Sequence, residues 1–123
     1  LDNLEILVTQ IRSCTDDDEF LALDLQFHLA IAAYSGSRIL ARLLRAVRGL
    51  LQELIRKSAE LPGDKELTYE QHLKILQALR DRNPRNARSA MRAHLKTFQR
   101  AYSLLSKVSH TGKTPVRLIV PTI

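Results

Sequence analysis

Apolar residues recur along this chain at intervals of three and four, the spacing that lines up side chains on one face of an α-helix. Leu4, Leu7, Val8 and Ile11 open the pattern and predict a helix over residues 2–13. After the polar stretch SCTDDDEF, the positions Phe20, Leu21, Leu23, Phe27, Ala30 and Ile31 predict a second helix over 17–34. Thr15 or Asp16 is placed to cap it, and Asp17, Asp18 and Glu19 suit the positive end of its dipole. These acids lack the spaced oxygens, glycine and distal glutamate of a calcium loop. The triplet SGS at 35–37 ends the helix, with Gly36 suited to the left-handed position just past it.

The longest stripe runs from Ile39 and Leu40 through Leu43, Leu44, Val47, Leu50, Leu51 and Leu54 to Ile55. It predicts one helix over 38–60, stopped by LPGD at 61–64. Leu67, Leu73, Ile75, Leu76 and Leu79 predict a helix over 65–81. Asn83 and Pro84 then restart the chain, a capping residue followed by one favoured in the first turn. Ala87, Ala90, Met91, Leu95, Phe98, Tyr102 and Leu105 carry the last helix to about residue 107. Five helices joined by short turns predict an all-α antiparallel bundle over residues 1–108. Residues 109–123 read differently: Val116, Leu118, Ile119 and Val120 favour an extended tail, and two prolines argue against a regular central strand.

Composition supports this class. The chain has 123 residues, enough for one domain, with 45% hydrophobic residues, 5% aromatic residues and no Trp. A single cysteine, Cys14, excludes a disulfide within the chain and points to the cytoplasm. No stretch approaches the roughly 20 apolar residues that span a bilayer. The start, LDNLEILVTQ, has no basic region of a signal peptide. It lies inside a helical pattern without an initiator Met, as expected of the ordered part of a longer protein. The net charge is +6, but the basic residues are spread through several helices rather than concentrated in one run, which reads as solvated faces rather than a nucleic-acid patch.

A small set of polar residues does not fit a plain bundle. Asp24 and His28 lie one turn apart beside the apolar face of the second helix. His72 in EQHLKIL and His94 in MRAHLKTF have similar apolar settings on two other helices, whereas His110 lies beyond the last helix. A bundle can bring three helices to one internal point, and metal sites in bundles are built that way. Neutral imidazoles and a carboxylate suit Zn, Ni and similar divalent ions. Four such donors would close a tetrahedral site or leave two positions of a six-coordinate ion open. Three rival readings stand beside this one. A metal-dependent hydrolase would need a placed acid or base, for which Glu70 near His72 is the only candidate. A nucleic-acid-binding helical domain lacks interleaved aromatics. A metal-free dimerising bundle would use the histidines structurally.

The stretch DLQFHLAIAAYSGS resembles the Asp-x-x-Phe-His helix and following Ser-Gly-Asn of the FCD domain. EQHLKILQALRDRNPRNARSAMRAHL resembles the same family's second signature, an acidic-His pair followed by an Ala-x-x-x-Met-x-x-His-Leu helix. FCD domains form the C-terminal half of FadR-subfamily regulators in the GntR superfamily. The resemblance implies a ligand-sensing, dimerising, cytoplasmic domain and not an enzyme. A small organic acid would be its effector, and DNA would be bound only through an N-terminal winged helix-turn-helix absent from this chain. It also implies a divalent metal held by Asp24, His28, His72 and His94, with Arg48, bordering Leu44, Leu51 and Ile55, as the expected clamp on the effector's carboxylate. The sequence departs from the family pattern at Ser37 for Asn, Gln71 for Glu and Asn83 for Asp. Of these, Gln71 is expected to weaken an acidic shell around His72.

Overall fold

The computed structural model describes residues 1–109, and within them the chain is entirely helical. The helices are α1 (Asp2–Ser13), α2 (Asp17–Tyr34), α3 (Arg38–Ala46), α4 (Arg48–Ala59), α5 (Asp64–Arg80) and α6 (Pro84–Ser109). The segment expected to form an extended tail lies, from residue 110 onward, outside the described residues.

Local chemistry sets most boundaries. Asp16 Oδ1 accepts the Glu19 amide at 2.8 Å, which starts α2. Gly36, at φ 73°, takes the left-handed turn that follows it. Ser37 Oγ accepts the Leu40 amide at 3.2 Å and starts α3. Gly63, at φ 77°, lets the LPGD turn reverse into α5. The α5–α6 corner is tighter. The Asn83 amide bonds back to the Ala78 carbonyl and the Arg82 amide to the Leu79 carbonyl, the paired pattern of a Schellman turn. Arg82 holds φ 49° at its centre, and Asn83 Oδ1 then caps α6 at the Asn86 amide.

One expected helix is two. The chain breaks at Val47, whose backbone (φ −95°, ψ 10°) leaves the helical region between α3 and α4. Val47 and Gly49 are both weak helix formers within three residues, and the apolar stripe across them conceals the break.

The central core cluster is drawn from α1, α2, α4 and α5, with Ala90, Met91 and Phe98 of α6 packed against it. Leu4, Leu7, Val8 and Ile11 of α1 pack with Phe20, Leu21, Leu23, Leu25 and Phe27 of α2, Ile55 of α4, and Ile75 and Leu76 of α5. Helix α3 buries no residue, and Ile39, Leu40 and Leu43 on it are exposed. On α5 the inward face is Thr68, His72, Ile75, Leu76 and Ala78, so Leu67 and Leu73, expected among its apolar contacts, lie outside. Ion pairs tie the periphery: Arg80 to Glu5, and Lys65 to Asp17. Cys14 is an ordinary half-buried thiol 3.1 Å from the Asp16 carbonyl, its ionisation disfavoured by burial and by Glu19. No helix among the described residues is long and apolar enough to cross a membrane.

Candidate metal centre

Helix α2 places Asp24 and His28 on its inner face, one turn apart. The Schellman corner folds α6 back along α5, which carries His94 to the level of His72. The four side chains meet inside the bundle: Asp24, His72 and His94 are buried and His28 is half-buried. Starting at Asp24 Oδ1, the contacts run 3.4 Å to His28 Nε2, 3.2 Å on to His94 Nε2, 3.3 Å to His72 Nε2 and 3.1 Å back to Asp24 Oδ1. All four atoms lie within 4.8 Å of one another. Two ligands about 2.1 Å from one ion stand roughly 3.0–3.4 Å apart, so each contact has the length of an edge between neighbouring metal ligands.

Protons alone do not satisfy this ring. Thr97 Oγ1 donates to the Ala93 carbonyl at 3.1 Å, so it accepts from Gln71 Nε2 at 2.8 Å. That fixes the Gln71 amide and turns its Oε1 to His94 Nδ1, 2.8 Å away. The Nδ1 of His94 must carry the hydrogen, and its Nε2 presents a lone pair to the ring. Asp24 is likewise an acceptor. Even with a proton on Nε2 of both His28 and His72, two protons serve four contacts. Asp24 Oδ1 and His72 Nδ1 make no properly aligned hydrogen bond although both are buried. A divalent cation among the four atoms resolves the shortage at Asp24 Oδ1 and the three Nε2 atoms, and this donor set fits it; His72 Nδ1, on the far side of its ring, is not reached by it.

The electrostatics agree. Burial pushes the His94 imidazolium down to about 3, helped by the charges of His72 and His28, and burial also pushes His72 down. Both rings are therefore neutral, as metal ligands must be. Burial alone would raise the Asp24 carboxyl, but hydrogen bonding and charge from His28 and His72 hold it below its ordinary range. His72, with none of its surface exposed, is held flat against Phe27, ring centres 3.9 Å apart.

A cavity of about 370 Å³ opens beside the ring. Asp24, His28 and His94 form its polar end, and side chains of α2, α3, α4 and α6 form the rest.

The structure thus brings together all four residues expected as ligands. It does not bring Arg48 to them. Arg48 is exposed and is not among the residues that line the cavity, although Leu44, Leu51 and Ile55 are. Helical side chains lean towards the N-terminus, and Arg48 is the first residue of α4, so the break at Val47 leaves no turn beneath it. Gln71 supports His94 and not His72. Its role was invisible in sequence because it depends on a contact 23 residues away. Glu70, the acid a hydrolase would have needed, is exposed on α5.

Comparison with known proteins places this geometry in context. The FCD domain family matches residues 1–97. The chain is 30% identical over 107 residues to the HTH-type transcriptional repressor NanR of Cronobacter sakazakii, covering 83% of this chain and 40% of that protein. It is 28% identical over 109 residues to NanR of Klebsiella aerogenes, with the same coverage of both. It is 32% identical over 104 residues to NanR of Salmonella newport, covering 80% of this chain and 38% of that one. The chain therefore spans about 40% of the length of these curated relatives, which are transcriptional repressors. No solved structure matches it.

Proposed function

The chain belongs to the FCD domain family of GntR-type transcriptional regulators, and from that premise we propose that it is a metal-dependent sensor of a small organic acid. The observation that carries this reading is the ring of Asp24, His28, His72 and His94, whose contacts have the spacing of ligands around one ion. Zn, Ni or a similar divalent ion fits the three imidazoles and the carboxylate. When bound, such an ion offers positive charge to an anion in the adjoining cavity.

The chain's own residues do the rest. Gln71 and Thr97 hold His94 in the tautomer that leaves Nε2 free. Phe27 orients His72 by stacking. The largely apolar walls face the acid's body. Arg48, expected as the clamp, would have to turn inward from its exposed place to reach a bound anion; we assign it the lesser part of attracting one towards the cavity. Leu40 and Leu44 of α3 and Leu51 and Ile55 of α4 line the cavity from both sides of the Val47 break. An occupant touches both helices, and α3, with no buried residue, is the element least held in place. Its shift would pass to a second copy of the domain and to the DNA-binding part of the full protein.

The test is metal content and its linkage to folding. The 123-residue chain, loaded with Zn or Ni and desalted, is expected to retain one ion per chain. Metal at a hundredfold excess over its dissociation constant should add about 2.7 kcal/mol of stability, removed by a chelator. His72→Ala and His94→Ala should each abolish retention. Empty desalted protein with a melting temperature indifferent to chelator refutes the reading.

A further inference from the structure

The cavity beside the ring is polar at one end only, and that asymmetry names the chemical class of its occupant. Besides Asp24, His28 and His94, the sole polar side chain on its lining among the described residues is Ser35. Ser35 is already committed, since its hydroxyl donates to the Ala32 carbonyl at 2.6 Å and accepts the Ser37 amide at 3.1 Å. The rest of the wall is aliphatic, thioether or phenyl: Leu25, Ile31, Leu44, Leu51, Met91 and Phe98 are representative. The protein carries 19 lysines and arginines, yet none lines this cavity among the described residues. The excess is concentrated elsewhere: α6 bears Arg85, Arg88, Arg92, Lys96, Arg100 and Lys107 and no acid.

We propose that the effector is a monocarboxylic acid with an apolar, aliphatic or aromatic body, bound carboxylate-first against the ring of Asp24, His28, His72 and His94. This rests on the reading of that ring as a metal centre. The carboxylate needs the cation, because Asp24 repels an anion at the same end of the cavity. The body needs only an apolar wall. A polyhydroxylated acid would strand each buried hydroxyl without a partner, costing about tenfold in affinity or more apiece. A second carboxylate would enter the apolar part with no cation to meet it. The volume of about 370 Å³ suits a small molecule.

The experiment is titration calorimetry of the Zn- or Ni-loaded chain with butanoate, hexanoate, gluconate and succinate. Hexanoate is expected to bind at least tenfold more tightly than gluconate or succinate. From butanoate to hexanoate, affinity should rise about fourfold per methylene. Stripping the metal should abolish binding. Leu51→Gln, on the apolar wall and not one of the four ring residues, should weaken hexanoate at least tenfold while the metal is still retained. Gluconate or succinate binding more tightly than hexanoate overturns the proposal and leaves the metal-dependent acid sensor standing. No acid binding to metal-loaded protein overturns both the proposal and the sensor reading. Failure to take up metal overturns the metal centre itself.

Discussion

At the scale of single residues, the informative side chain is Gln71. It stands where the family pattern favours Glu, and it holds His94 through a relay that ends on the Ala93 carbonyl. Its amide does for His94 what outer carboxylates and carbonyls do for metal-bound histidines: it fixes the tautomer and the ring plane. Gln71→Ala should leave the fold intact and lower Zn or Ni affinity 10- to 100-fold by calorimetry. Gln71→Glu should raise affinity, because an ionised acceptor strengthens the hydrogen bond to Nδ1. His72 has no such partner on Nδ1, so its position depends on Phe27. An affinity unchanged in Gln71→Ala contradicts this assignment.

At the scale of elements, the backbone predicts which substitutions help. Gly49 lies in α4 with ordinary helical geometry and nothing within 4 Å of where a Cβ would stand. Gly49→Ala should therefore stabilise by about 0.5–1 kcal/mol. Arg82 holds φ 49° at the α5–α6 turn, so Arg82→Gly should also stabilise, by a similar amount. Gly36 holds φ 73°, and Gly36→Ala should destabilise by about 1 kcal/mol although the site is sterically open. Urea denaturation of the three variants checks the signs, and Gly36→Ala more stable than the parent contradicts the geometry. Helix α3 depends on neighbours differently from the others. Its apolar residues form a cavity wall and an exposed face in place of core, which is why the proposed switch is assigned to it.

At the scale of the whole molecule, the buried imidazoles couple folding to pH. In the unfolded chain His72 and His94 take up a proton near the ordinary value of 6.5, whereas in the folded chain both are pushed lower, His94 to about 3. The unfolded state therefore binds more protons as the pH falls through this range. The stability tied to these groups is complete above about pH 6.5 and declines below it, with the His94 share continuing to fall until about pH 3. Asp24, held below its ordinary 3.8, begins to matter only below that pH. Each imidazole contributes at most about 1.4 kcal/mol per pH unit, so metal-free protein should lose roughly 2–4 kcal/mol between pH 7.5 and 5. Denaturant titrations at the two pH values measure this, and equal midpoints contradict it.

Much of this was determined by sequence alone. Helix periods located four of the five junctions, Asn83 announced its cap and the cap of α2 was narrowed to Thr15 or Asp16, and Asp24, His28, His72 and His94 stood out as polar residues on apolar faces. These features are local, repeating every turn or acting within three or four residues, so a single strand of text contains them. What only the tertiary structure decided depends on contacts across helices. The exposure of Leu73, the pairing of Gln71 with His94 and the apolar cavity all follow from which faces meet, while the break at Val47, with the exposure of Arg48 beside it, was hidden under a continuous apolar stripe. An apolar stripe records that a face is buried, but not what it is buried against.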